Sequence, residues 1–296
     1  MRRGAVLLAA FLLVLGLLAG AAQARSVVAE RVAQDQKTVT AHWTPERMRA
    51  AVPVERAKPG GAGGGGPKSD PYPFTSYEVL TPYTELPTAT HGKVYFTSDG
   101  VDYVCSGTAL TSANESVVWT AGHCVHEGPG DFHVNWVFVP AYRDGERPFG
   151  TFSASTLLTT DRWAAAGDFG HDLGAATVHP VASISLTDTI GGGRGVAFNY
   201  NRQQQYLAHG YPAAKKFSGQ RLRVCDAPWG LDDTSTSPPS IGIGCDMTGG
   251  SSGGGWVVGN DVYSVNSYGY RSLRNVMFGP FQGSVAQDLY ATAAAS

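Results

Sequence analysis

Three short stretches of the chain hold side chains that could carry out acyl transfer together. Trp119-Thr120-Ala121-Gly122-His123-Cys124 puts a histidine just past a β-type run, with a cysteine beside it. Phe169-Gly170-His171-Asp172-Leu173-Gly174-Ala175-Ala176 places a carboxylate at the mouth of an apolar run, where its neighbours would desolvate it. Cys245-Asp246-Met247-Thr248-Gly249-Gly250-Ser251-Ser252-Gly253-Gly254-Gly255-Trp256 sets serine among glycines. Glycine at that density permits positive φ and close backbone approach, so amide N–H groups can converge on an oxygen beside the hydroxyl. A serine hydroxyl is a weak nucleophile at neutral pH and needs a base within hydrogen-bond reach, which an imidazole oriented by a carboxylate supplies. Each stretch alone has a plainer reading: His123 could be a buried structural histidine and Asp172 could cap a turn.

The elements that must position these groups are β-strands. From about His91 onward, short runs rich in Val, Tyr, Phe, Trp and Thr alternate with turn residues: 93–97, 103–111, 116–120, 133–140, 173–178, 194–199, 205–211, 220–224 and 261–266. No amphipathic helix of ten or more residues interrupts them, which points to an antiparallel sandwich or barrel rather than α/β. Only 284–295 reads as a helix there. Earlier, Thr44-Pro45-Glu46-Arg47-Met48-Arg49-Ala50-Ala51 carries an N-cap Thr, a Pro at the first helical position and good helix formers, so a short helix is expected.

Composition narrows the function classes. The 296 residues are 16% charged and 43% hydrophobic with a formal net charge of −2, and no basic run reaches five residues. Neither nucleic acid nor an anionic membrane is an expected partner. Residues 1–24, with Arg2-Arg3, an apolar run and Ala22-Gln23-Ala24, read as a signal peptide cut after Ala24, which implies secretion. Residues 25–90 read as a prosegment and Gly-rich linker, the linker being Pro59 to Pro67. Cys105, Cys124, Cys225 and Cys245 allow three pairings; joining sequence neighbours closes two loops of similar length.

Taken together, Cys105-Ser106-Gly107-Thr108-Ala109, Thr120-Ala121-Gly122-His123-Cys124, His171-Asp172-Leu173, Gly250-Ser251-Ser252-Gly253-Gly254 and Ser267-Tyr268-Gly269 resemble the trypsin/chymotrypsin-like serine peptidases. Within them the chain is most similar to the secreted bacterial branch that includes the V8-like glutamyl endopeptidases. The order His, Asp, Ser is that of this superfamily; the nucleophile elbow of an α/β-hydrolase has Ser first. The resemblance implies His123 as base, Asp172 as its orienting carboxylate and Ser252 as nucleophile, with the N–H groups of Gly250 and Ser252 as oxyanion hole. It favours Ser252 over Ser251, because the family motif puts the nucleophile directly before Gly-Gly, and Asp172 over Asp168. It also implies a Cys105–Cys124 disulfide, so zinc on His123, Cys124 and His126 is not expected; nor is any cofactor. Substrate backbone would add antiparallel to Ser267-Tyr268-Gly269, with Asn266 just before them.

The chain departs from the family in places. Ser251 stands where digestive members hold the Asp that receives the new N-terminus, so activation would instead remove a prosegment that blocks the cleft. Asn266 replaces the histidine of glutamate-specific relatives. Asp246 could select Arg or Lys, or cap a loop. The expectation is therefore an all-β chain of two packed antiparallel barrels, 91–185 and 186–296, with the terminal helix against the second. Its function would be that of a secreted, monomeric serine endopeptidase acting on polypeptides and losing activity as acid protonates His123. A silent binding protein on the same scaffold and an esterase are the alternatives.

Overall fold

The β-type runs between His91 and Val178 pair in a closed circle. In the computed structural model, which describes residues 26–58 and 70–296, they form β5 (His91–Ser98), β6 (Val101–Ala109), β7 (Val117–Thr120), β8 (Val134–Pro140), β9 (Phe152–Thr160) and β10 (Gly174–Val178). Strand β5 pairs antiparallel with β6 and β8, β7 lies between β6 and β10, and β9 joins β10 to β8. Val94, Val118, Phe138, Leu157 and Ala175 are buried in the barrel so formed. Strand β9 escaped the sequence reading because Ser and Thr fill half of it; its burial comes from neighbours on both sides. A short helix, α3 (Asp161–Ala166), follows it.

After α4 (Leu186–Ile190) comes a second body. It contains β11 (Gly195–Val196), β12 (Gln205–Gly210), β13 (Arg223–Asp233), β14 (Ser240–Gly244), β15 (Gly255–Val258), β16 (Asp261–Val265), β17 (Gly269–Tyr270) and β18 (Val276–Gly279). The sheet order is β11-β16-β15-β12-β13-β14-β18, over a core of Tyr206, Ala208, Ile241, Ile243 and Trp256. The all-β expectation holds, but the run expected over 194–199 is a strand only at Gly195–Val196.

The terminal helix, α5 (Ser284–Ala294), requires a correction: it packs chiefly on β9 and β10 of the first barrel, and touches the second body through Tyr290 against Phe198. Its buried stripe of Ala286, Leu289 and Ala293 joins the first core, and Tyr290 Oη donates to the Thr111 carbonyl at 2.7 Å. Among the described residues no helix is long and apolar enough to cross a membrane. The reading of 1–24 as a signal, and of 59–67 as a linker, falls outside the described residues.

The N-terminal residues form β1 (Val27–Arg31), α1 (Gln36–His42), α2 (Pro45–Ala50), β2 (Val52–Pro53) and β3 (Ala57–Lys58); β4 (Thr75–Glu78) pairs with β13. Helix α2 is the one expected, and the Thr44 side chain accepts from the Arg47 N–H as its N-cap. Helix α1 was not expected; Asp35 caps it by accepting from the Thr38 N–H.

Two disulfides join sequence neighbours, Cys105–Cys124 and Cys225–Cys245. The first ties β6 to the turn carrying His123, and the second ties β13 to the loop carrying Ser252. Each closes a loop for which chain-entropy arguments give about 3 kcal/mol.

Candidate active site

Strand β7 ends at Thr120 and the chain tightens into a 3-10 turn, Gly122–Cys124, that carries His123. Three buried side chains pin this turn by its carbonyls: His133 Nε2 donates to His123 O at 3.1 Å, Trp136 Nε1 to Cys124 O at 2.8 Å and Trp163 Nε1 to His126 O at 3.0 Å. Burial lowers the His133 pKa to about 3, so its ring stays neutral.

Asp172 follows a second 3-10 turn, Phe169–His171. Asp168 caps that turn and pairs with His171 Nδ1 at 3.0 Å, which spends the competing carboxylate. Asp172 meets His123 twice: Oδ2 accepts from the ring Nδ1 at 2.7 Å and Oδ1 from the backbone N–H at 2.8 Å. A third bond comes from Ser267 Oγ at 2.5 Å. Burial opposes ionisation of Asp172, but His123 and the Ser267 hydroxyl outweigh it and hold the carboxyl below its ordinary range. The carboxylate is therefore charged at neutral pH, and the imidazole is held with Nε2 as its open nitrogen. Among the described residues that Nε2 is buried without a hydrogen-bond partner.

The Ser252 loop lies against the end of β7. Gly253, at φ +79, is needed there, because a Cβ would sit 1.9 Å from Thr120 Oγ1. The contact is fixed by the Ser106 N–H, which donates to Ser252 O at 2.7 Å, and by Ser106 Oγ, which donates to Gly250 O at 2.9 Å. Gly250, at φ +92, turns its N–H outward into the cleft. Ser251 is buried and donates to Thr248 O at 2.8 Å, so its hydroxyl proton is already engaged. Ser252 lines a cavity of about 410 Å³ with Met247, Ser267, Tyr268, Arg274 and Met277. No hydrogen bond joins Ser252 Oγ to His123 in this structure.

Two positions have other work than sequence alone suggested. Asn266 is fully buried: Nδ2 donates to His209 O (2.7 Å) and Ser251 O (3.0 Å), and Oδ1 accepts from Trp256 Nε1 (2.7 Å). Its side chain braces the serine loop from behind and does not reach the cavity. Asp246 pairs with Lys216 Nζ at 2.7 Å and is not among the side chains around Ser252. The two sulfurs nearest His123, those of Cys105 and Cys124, are bonded to each other, which removes them as thiolate ligands.

What sequence reasoning missed is the path by which the N-terminal segment runs through the cleft. Residues 52–58 cross it: Val54 N–H donates to Val104 O at 3.2 Å, Gly250 N–H donates to Val54 O at 3.0 Å and Gly269 N–H donates to Arg56 O at 3.2 Å. Strand β2 runs parallel to β6, and β3 runs parallel to β17. No local signal in Val52-Pro53-Val54-Glu55-Arg56 marks this path, since its partners lie 50 to more than 200 residues away.

Solved structures resemble this chain closely. The protease Anisep from Arthrobacter nicotinovorans is 42% identical, with a TM-score of 0.69 over 75% of this chain and 100% of its own. A thermostable serine protease, AL20, from an extremophilic microorganism is 45% identical, with a TM-score of 0.67 over 70% of this chain and 98% of its own. A Glu endopeptidase solved in complex with MPD shares the fold at 17% identity and a TM-score of 0.60, over 77% of this chain and 98% of its own. Neither a protein-family model nor a curated protein matches.

Proposed function

The chain belongs to the chymotrypsin-like serine proteases, and we propose that it is a serine endopeptidase, secreted as a latent precursor, that cleaves polypeptides through an acyl-enzyme. Ser252 attacks the scissile carbonyl while His123 Nε2 takes its proton. Asp172 holds the Nδ1 proton and stabilises the imidazolium that forms. The N–H groups of Gly250 and Ser252 receive the negative oxygen, each donor contributing about 3 kcal/mol to lowering the barrier. His123 then protonates the leaving amine, and water repeats the sequence to release the acid. The observation that carries this reading is the buried His123–Asp172 pair, which occupies Nδ1 and leaves Nε2 unpartnered at the cleft.

Latency is supported by the direction of residues 52–58. A substrate adds antiparallel to the strand beginning at Ser267, whereas β3 lies parallel to β17, so the segment threads the cleft backwards. With Val54 O held by the Gly250 N–H, the backward course puts the amide nitrogen of Glu55 on the side where a substrate has its acyl portion. The proton on His123 then has no leaving nitrogen to meet, so the segment binds without being cut. The oxyanion loop already faces the cleft, which fits activation by removing a plug rather than by ordering a loop. The whole of the Anisep chain corresponds to three quarters of this one, so that solved chain holds no counterpart of the remaining quarter. We place the activating cut within 59–69.

The test is labelling by a fluorophosphonate after limited proteolysis in 59–69. Wild type should label and turn over peptide amides, and Ser252→Ala should do neither, with turnover down by at least about 10⁴-fold. An opened wild type that stays unlabelled would leave the binding-scaffold reading; one that cleaves esters and spares amides would make it an esterase.

A further inference from the structure

Lys58, at the end of the backward segment, is held by more than backbone. Its Nζ lies 4.5 Å from the Tyr268 ring centroid, 5.1 Å from that of Phe169 and 5.6 Å from that of Tyr270. Asp233 Oδ2 closes the floor at 3.4 Å and Ser235 Oγ stands at 3.2 Å. Three aromatic faces and one carboxylate around an ammonium make a receptor for a cation. It is built rather than incidental: Tyr268 Oη and Tyr270 Oη both donate to Asp233 Oδ2, at 2.5 and 2.7 Å, and Ser235 N–H donates to Oδ1 at 3.0 Å. Burial works against the charge of Asp233, yet the Tyr268 hydroxyl and its neighbours outweigh it and hold the carboxyl well below its ordinary range. Only 8% of the Asp233 side chain is exposed with Lys58 in place, so departure of the segment leaves an ionised, poorly solvated carboxylate facing empty aromatic walls.

We propose that Phe169, Tyr268, Tyr270 and Asp233 form a substrate subsite for a Lys or Arg side chain on the acyl side of the scissile bond, which Lys58 occupies in the precursor. The proposal rests on the endopeptidase reading and adds a substrate class to it. Its position follows from Gly269, which lies between the two tyrosines and whose N–H holds the Arg56 carbonyl, two residues beyond the carbonyl at Gly250. A substrate residue passing that point stands about two to four residues before the cleaved bond in an extended chain. The cage is independent of Asp246, whose charge is taken up by Lys216.

The experiment uses the chain opened in 59–69 and freed of residues 26–58. Peptides carrying Lys, Arg, norleucine or Glu at each of those positions are compared by kcat/KM. Lys or Arg should exceed norleucine by about tenfold at one position, with Glu poorest, and Asp233→Asn should bring Lys and norleucine together. Tyr270→Leu, at the half-exposed rim, should shrink the same ratio and serves if Asp233→Asn does not fold. Equal turnover of Lys and norleucine at every position, or a preference that survives both substitutions, overturns the subsite while leaving the peptidase intact. Failure to cut any peptide overturns both.

Discussion

Residues 26–58 hold the rest of the molecule in two different ways. The first part, to Ala51, is an anchor: β1 adds five residues antiparallel to β9, and Val39, Trp43 and Met48 are buried against Tyr95, Val104, Val137 and Val139. The Trp43 ring lies 5.3 Å from Tyr95, and its Nε1 donates to Asn135 O at 2.6 Å. The second part, 52–58, crosses the cleft on single backbone hydrogen bonds with Glu55 and Arg56 exposed, its side-chain burial resting on Val54 and on the caged Lys58 ammonium. Apolar burial supplies far more free energy than a few exchanged hydrogen bonds. Most of the docking free energy is therefore expected from the anchor, while the crossing is expected to supply the block and, through Lys58, a smaller share; the two are separable by substitution.

The largest break is Trp43→Ala. Truncating a buried Trp typically costs about 3–5 kcal/mol, and here the loss falls on docking rather than on the catalytic groups. Residues 26–58 added to the opened enzyme should inhibit it and be recovered uncut. The Ala variant should need at least about a hundred times more peptide for the same inhibition. Equal potency would mean that the anchor does not carry the affinity.

The same contrast marks what was legible in the sequence. The pairing of His123 with Asp172, and the glycine-rich loop that carries Ser252, could be read because each sits in a local motif whose glycines and neighbours have a mechanical reason. Helix α2 could be read from Thr44 and Pro45. Strand β9 could not, because the alternation of Phe152 and Ala154 with Ser153 and Ser155 breaks off at Thr156, and the strand gains its burial from β1, β8 and β10. The resting place of α5 was misjudged because chain adjacency suggested the second body, while the stripe of Ala286, Leu289 and Ala293 fits the first. Asn266 was assigned to the cleft by its place in the motif, yet its amide is fully engaged behind Ser251. The crossing by 52–58 and the cage around Lys58 are tertiary facts, assembled from Phe169, Asp233, Tyr268 and Tyr270 with nothing local to announce them.

Acid should separate body from anchor. His91 and His209 stack at 3.9 Å inside the body, with Arg194 Nη2 3.4 Å from His91. Burial lowers the pKa of His209 to about 3 and that of His91 well below its ordinary value, with each ring's positive neighbours adding to the effect. His133, also about 3, behaves alike. Folding keeps these rings neutral, while the unfolded chain protonates them near ~6.5. The unfolded state thus binds more protons below that value, and stability falls as pH drops from about 6.5 toward 3, by roughly 1.4 kcal/mol per histidine per unit. Thermal unfolding midpoints should decline steadily over that window, and His209→Gln should flatten the slope. A midpoint unchanged between pH 7 and 4 would contradict the assignment.

The smallest effect belongs to the ionic link that ties the anchor to Asp102. Asp102 on β6 accepts from Thr97 Oγ1 at 2.7 Å, His42 Nε2 at 3.0 Å and Arg47 Nε at 2.8 Å. Burial raises its pKa, but the Thr97 hydroxyl, His42 and Arg47 lower it further, so the net shift is downward. A depressed carboxyl pKa stabilises the docked form above the unperturbed value near ~3.9, and that contribution disappears as pH falls through the folded value. This link therefore keeps its full contribution from pH ~6.5 down to about 3.9, an interval in which the buried histidines already weaken the body, so acid should loosen the body before it releases the anchor. Arg47 is 46% exposed, so solvent screens the pair and Asp102→Asn should weaken docking by about 1 kcal/mol or less. The check is inhibition by residues 26–58 against wild type and Asp102→Asn bodies at low and high salt. A difference present at low salt and erased at about 1 M fits a screened ionic tether. One that persists at high salt would show that Asp102 holds the anchor through its hydrogen bond with His42 rather than through a screened charge.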